Sequence, residues 1–198
     1  MDFMRCFFFM TTVLVLYIYI LQTETFESDG STEALINSIC IENEDYGFCS
    51  KIIHEKLQKP TATIEELTDL ILHTAFDHAR DTYGFINNTI RQWHDPKEMM
   101  TLETCLAVFD NETTNFLKIL GLFSKGEYTC MIRAILTTAK TLENCRTNFI
   151  IPPYKENPLI EKFRVMRILI TMSGVSGNMV KYGKASLLSS VVTAHVFQ

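Results

Sequence analysis

Apolar side chains return at helical spacing along four long stretches of the chain. Over Ile64–Trp93 the stripe runs through Ile64, Leu67, Ile71, Ala75, Thr82, Ile86 and Trp93. Over Glu98–Phe123 it runs through Leu102, Cys105, Leu106, Phe109, Phe116, Leu120 and Phe123, and over Glu127–Phe149 through Tyr128, Met131, Ile135, Ala139 and Leu142. Each set occupies about a third of a helical wheel, as expected of a helix with one buried face. A fourth helix is expected over Leu159–Val180, with one stripe at Leu159, Phe163, Met166 and Ile170 and a second at Val165, Ile168, Met172 and Val175. Apolar residues on two sides imply burial from two sides, either inside a bundle or partly under a partner; the bundle interior is the simpler reading.

Proline marks the boundaries, because it breaks a helix interior. Pro60, Pro96 and the group Pro152, Pro153 and Pro158 fall between the periodic stretches. Sustained strand alternation, internal repeats and low-complexity tracts are absent from the sequence. The expected fold class is therefore all-α, an up-and-down four-helix bundle. Ahead of it, Ser31–Lys59 reads as a helical hairpin too small to fold alone. The stretch 183–198 has no assignable role.

Composition refines this picture. The 198 residues suit one domain, 31–182, and 47% apolar content is enough for a sizeable core. A net charge of −5 argues against general nucleic-acid affinity and permits a basic partner. At the N-terminus, Arg5 precedes the uncharged run Cys6–Leu21 and the polar stretch Gln22–Gly30. That order reads as a secretory signal peptide, taken as 1–23. The alternative is an uncleaved segment, the chain's one route to a membrane. Export makes disulfides expected. It also fits two glycosylation sequons, at Asn87 and Asn111.

Cys6 falls within the signal segment, leaving Cys40, Cys49, Cys105, Cys130 and Cys145. Cys105 and Cys145 are equidistant from Lys125, next to Gly126 in the expected turn, so an antiparallel pair of helices brings them to one height. Both lie on or beside an apolar face, where a bridge is sterically sensible. Cys40 and Cys49 straddle the expected hairpin turn Asn43–Tyr46 in the same way. In the chain-entropy model, loops of about 10 and 41 residues stabilise by roughly 2.7 and 4 kcal/mol. Cys130 is left as a free thiol, set away from its helix's stripe among Arg133, Thr137 and Thr141; it either crosslinks two chains or stays reduced and inert.

Cysteines 40/49 and 105/145, with gaps of 9, 56 and 40 residues behind a signal segment, resemble the pattern of the plant invertase and pectin methylesterase inhibitor family. The local runs Cys105-Leu-Ala-Val-Phe109, Lys125-Gly126-Glu127-Tyr128 and Cys145-Arg-Thr-Asn-Phe149 are similar to family motifs. The resemblance spans about Ser31–Val180. It implies a four-helix bundle with an N-terminal helical hairpin, two disulfides and no catalysis, acting in the cell wall by one-to-one complexes with an enzyme. The chain departs from the family at Asn144, where a Thr is usual, and at Asp110, Asn111 and Glu112, where small residues are usual.

Invertase inhibitors of the family carry a Pro-Lys-Phe triplet near the start of the third bundle helix. Here that place holds Tyr128-Thr129-Cys130. The Lys-Gly-Glu-Tyr run is closer to the Lys-Gly-Asp-Tyr of pectin methylesterase inhibitors. The resemblance thus implies pectin methylesterase as the partner, with acid invertase the alternative. Tyr128 is the expected buried anchor, with Lys125 and Glu127 as polar contacts; the bland alternative is that these residues only form a turn and a helix start.

Other chemistry is weakly represented. His73, Asp77 and Asp81 share a helix flank and read as a solvated charged face; His78 reads as a hydrogen-bonded core histidine. The sequence has no Glu-x-x-His, Cys-x-x-Cys, Gly-x-Ser-x-Gly or phosphate-cradling glycine loop, so no metal, cofactor or active site is expected. A different class of function is an exported carrier holding an apolar molecule among Phe109, Phe116, Phe123 and Phe163, which requires a continuous apolar cavity of several hundred Å³.

Overall fold

The computed structural model describes residues 30–92, 95–148 and 157–183; the expected signal segment, Trp93 and nearly all of the C-terminal tail lie outside the described residues. Among the described residues six helices follow one another: α1 Gly30–Cys40, α2 Tyr46–Lys56, α3 Ile64–Ile90, α4 Pro96–Ser124, α5 Tyr128–Asn148 and α6 Ile160–Tyr182. No strand occurs among the described residues. The last four form the expected bundle: each packs on the next, and α6 returns onto α3 to close the square.

Local sequence sets the ends of these helices. Thr63 caps α3: its hydroxyl accepts from Glu66 N at 3.3 Å, while the Glu66 carboxylate accepts from Thr63 N at 2.9 Å. This reciprocal capping box satisfies two donors that the first helical turn leaves free. Glu65 and Glu66 also place negative charge at the positive end of the helix dipole. Asp45 caps α2 by accepting from Phe48 N at 2.9 Å.

The bundle core is continuous from end to end. Leu67, Ile71, Ala75 and Ile86 of α3 are buried with Leu102, Phe109, Phe116 and Ile119 of α4, Met131, Ile135 and Leu142 of α5, and Phe163, Met166 and Ile170 of α6. Cys105 and Cys145 are joined across α4 and α5, with Cα atoms 4.9 Å apart. That rung fixes the register of the two helices. Glu112 and Thr138, then Ile119 and Met131, are likewise equidistant from Lys125, and all four are buried. On the opposite side α6 approaches α5 closely: a side chain at Gly177 would meet Met131 Cε at 2.6 Å.

The second stripe of α6 lies beneath the hairpin, since α1 and α2 both pack on α6 and Ile168 and Met172 are buried. The two-sided apolar pattern is thus bundle interior on one flank and hairpin contact on the other. The hairpin is held from several directions. Cys40 and Cys49 are bridged at a Cα separation of 5.5 Å. The buried Thr32 hydroxyl accepts from Ala62 N at 2.9 Å. Arg164 of α6 donates to Asp45 at 2.9 Å and to Glu161 at 2.6 Å, with its guanidinium 4.8 Å from the centre of the Phe48 ring. Arg167 reaches Glu44 at 2.8 Å. Cation–ring stacking and a forked pair of carboxylate contacts make Arg164 hard to replace with lysine.

Two outcomes are expected. Replacing Cys105 and Cys145 together by Ala lowers unfolding free energy by about 4 kcal/mol, measured by urea denaturation. Replacing Arg164 by Ala leaves the bundle folded but speeds amide exchange selectively in α1 and α2, with a smaller salt dependence than the parent protein.

Candidate partner-binding surface

The chain reverses between α4 and α5 through Ser124–Glu127. Gly126 adopts φ +72°, the left-handed conformation that costs glycine least. With it, Glu127 N donates to Leu122 O and Gly126 N to Phe123 O, each at 2.9 Å. These are the two bonds of a Schellman motif, and they satisfy carbonyls at the end of α4. The tip is therefore a hydrogen-bonded corner and holds its side chains at fixed exits.

Lys125 and Glu127 both emerge exposed on either side of Gly126. Tyr128 opens α5 half-buried, its ring 6.0 Å from that of Phe123 and inclined at 51°. The phenol thus has one side committed to the tip while part of it stays accessible, and Lys125 and Glu127 next to it in the chain are exposed. A pre-set aromatic loses little conformational entropy on contact, which suits an anchor. The structure brings the three expected contact residues together at one end of the bundle. Cys130 follows in the first turn of α5 as a free, exposed thiol and is not buried against a neighbouring element.

Other expectations fall as follows. Asn111 is exposed on α4 and Asn87 partly exposed on α3, while the sequon hydroxyls of Thr113 and Thr89 donate to Phe109 O and Phe85 O. His78 is partly buried and its Nε2–H donates to Lys162 O at 2.9 Å; burial pulls its pKa below the usual histidine value, and the bond to Lys162 opposes this. His73 lies 3.7 Å from Asp69, and Asp77 lies 3.0 Å from Arg80, on an exposed flank of α3. Among the described residues no group of His, Cys, Asp and Glu has the makings of a metal site.

The phenylalanines proposed to hold an apolar ligand fill the core instead. Phe109, Phe116 and Phe163 are fully or almost fully buried, with Phe109 and Phe163 ring centres 6.0 Å apart, and Phe123 belongs to the tip. A groove of about 760 Å³ lies elsewhere, between the end of α2 and the outer face of α3, and is lined by Lys56, Lys59, Glu66, His73 and Asp77 beside Leu57 and Leu70. It is charged and open to solvent, unlike an apolar carrier site.

Periodicity missed two kinds of residue. Leu117 and Leu136 are 55% and 46% exposed, off their helices' stripes, and an apolar residue out of phase was the available signal. Glu112 is fully buried on α4, although its neighbours Asp110 and Asn111 are exposed. It stands in phase with Cys105, and that phase was the signal that could have found it.

No protein-family model and no curated protein sequence matches this chain. Solved structures do. A mutant form of a pectin methylesterase inhibitor from Arabidopsis superposes with a TM-score of 0.65 at 15% identity, over 73% of this chain and 95% of that one. A second structure, of a pectin methylesterase inhibitor from Arabidopsis thaliana, gives 0.56 at 16% identity, over 77% of this chain and 97% of that one. At such identity the likeness is one of architecture. The chain has the helical-bundle fold of these inhibitors over almost their whole length.

Proposed function

We propose that this protein is a secreted inhibitor of a plant cell-wall pectin methylesterase, acting as a stoichiometric binding partner and not as a catalyst. The observation that carries the reading is the architecture it shares with two pectin methylesterase inhibitors, combined with a rigid tip that presents Lys125, Glu127 and Tyr128 together. In this reading the tip and the adjoining faces of α4 and α5 cover the groove in which the polysaccharide must lie, and inhibition is steric. Tyr128 supplies the apolar anchor; the two flanking charges fix orientation and speed encounter. Two disulfides and the N-terminal apolar segment support export to the cell wall. Glycans at Asn87 and Asn111 would sit on outer faces; one at Asn111 would keep partners off its part of α4.

Parallel titration of the purified, oxidised protein against a pectin methylesterase and an acid invertase tests the reading. The expected result is loss of esterase activity at one equivalent with invertase unaffected. Tyr128→Ala should weaken inhibition tenfold or more, about 1.4 kcal/mol, with smaller losses for Lys125→Ala and Glu127→Ala and none for Lys51→Ala on the hairpin. Loss of invertase activity alone would transfer the proposal to that enzyme. A folded, oxidised protein that leaves both enzymes active removes the inhibitory role for these targets.

A further inference from the structure

Glu112 stands in the α4–α5 seam, between the Cys105–Cys145 bridge and the tip, with 0% of its surface exposed. Neither carboxyl oxygen makes a hydrogen bond of ordinary geometry. The polar group that faces it is the Thr138 hydroxyl of α5, which donates its own proton to Ala134 O at 3.2 Å. Thr138 has a single hydroxyl proton that the Ala134 carbonyl also claims, so a Glu112 carboxylate finds at most one contested donor here. In this layer a carboxylate is a buried charge with almost nothing to offset it, whereas a neutral acid carries only the smaller cost of a poorly paired polar group.

We propose that the folded bundle carries Glu112 as the neutral acid, and that its ionisation loosens α4 from α5 at this rung, making the seam a proton-dependent latch. Nearby charges do not offset the cost. On α4 itself Asp110 and Lys118 are exposed, as are Arg133 and Lys140 on α5. On α3 the titratable side chains turned inward are His78, already bonded to Lys162 O, and the partly buried Tyr83. On α6 no charged residue occurs between Arg167 and Lys181, and Arg167 is paired with Glu44. Burial pushes the Glu112 carboxyl up to about 8, and the Thr138 hydroxyl opposes this only in part.

The direction of the pH effect follows. The ordinary carboxyl value is 4.5, so between that pH and about 8 the folded state keeps a proton that the unfolded chain has released. The stabilisation is complete at the acid end and is lost as pH rises through the interval. The folding constant falls by up to about tenfold per pH unit, on the order of 1000-fold across the range. The latch is independent of the partner that the tip engages.

Urea unfolding of the oxidised protein and of Glu112→Gln, from about pH 4.5 to 9, tests the latch. The expected result is a wild-type folding constant that falls at least tenfold relative to the variant as pH rises; parallel profiles overturn the proposal. A second measurement needs no variant. The carbon-13 signal of the Glu112 carboxyl should titrate with a midpoint above about pH 7 in the native protein, and a midpoint in the ordinary carboxylate range overturns it. Protection factors of α4 and α5 amides around this rung should fall through the same transition while those of α3 hold. Unchanged protection across the titration would remove the loosening.

Discussion

The covalent rung between Cys105 and Cys145 is the constraint on which the bundle's useful geometry depends. It sets two long helices to one height, and every apolar layer between that rung and the tip then meets its partner at a fixed distance from Lys125. The turn has little freedom left: the left-handed conformation of Gly126 lets Glu127 N and Gly126 N close on the last carbonyls of α4. The exits of Lys125, Glu127 and Tyr128 are set locally by the hydrogen bonds of this turn, at the end of a seam that the Cys105–Cys145 bridge holds in register. A surface held in this way loses little order on binding, which is how a small bundle can form a tight complex.

The same seam contains its own weak point. A disulfide is indifferent to pH over the range in which a carboxyl titrates, whereas Glu112 responds to it through burial. The covalent rung would hold the far end of α4 and α5 together if the middle yielded on ionisation of Glu112. The hairpin follows a different rule. It buries Leu35, Ile36, Ile39 and Ile53 in the shared core and is tied further by its bridge, by Thr32 on the Ala62 backbone, and by Arg164 and Arg167 on α6.

Much of this was legible from residue order. The four periodic stretches became helices with ends within a few residues of the expected ones, because capping signals such as Thr63 to Glu66 and breakers such as Pro60 act locally. Both cysteine pairs were legible because residues equidistant from a turn meet in an antiparallel pair. The cover over the second stripe of α6 was not: a helical wheel records two apolar faces but not what packs on each. Glu112 was missed for a related reason. A carboxylate is normally assigned to solvent, and only its phase with Cys105 set it against the core. Tyr128 was read as an anchor from the resemblance of Lys125-Gly126-Glu127-Tyr128 to an inhibitor motif; its ring contact with Phe123 depends on the turn's three-dimensional closure, which the sequence does not show.

Fold likeness to two inhibitors and a rigid tip together make the tip the centre of the functional account. Amide-exchange footprinting of the oxidised protein, alone and mixed with a pectin methylesterase, tests that account most directly. The account predicts new protection concentrated at 122–132, across the end of α4, Gly126 and the first turn of α5. Protection confined to the hairpin, or a complex that leaves 122–132 as exposed as in the free protein, would contradict it.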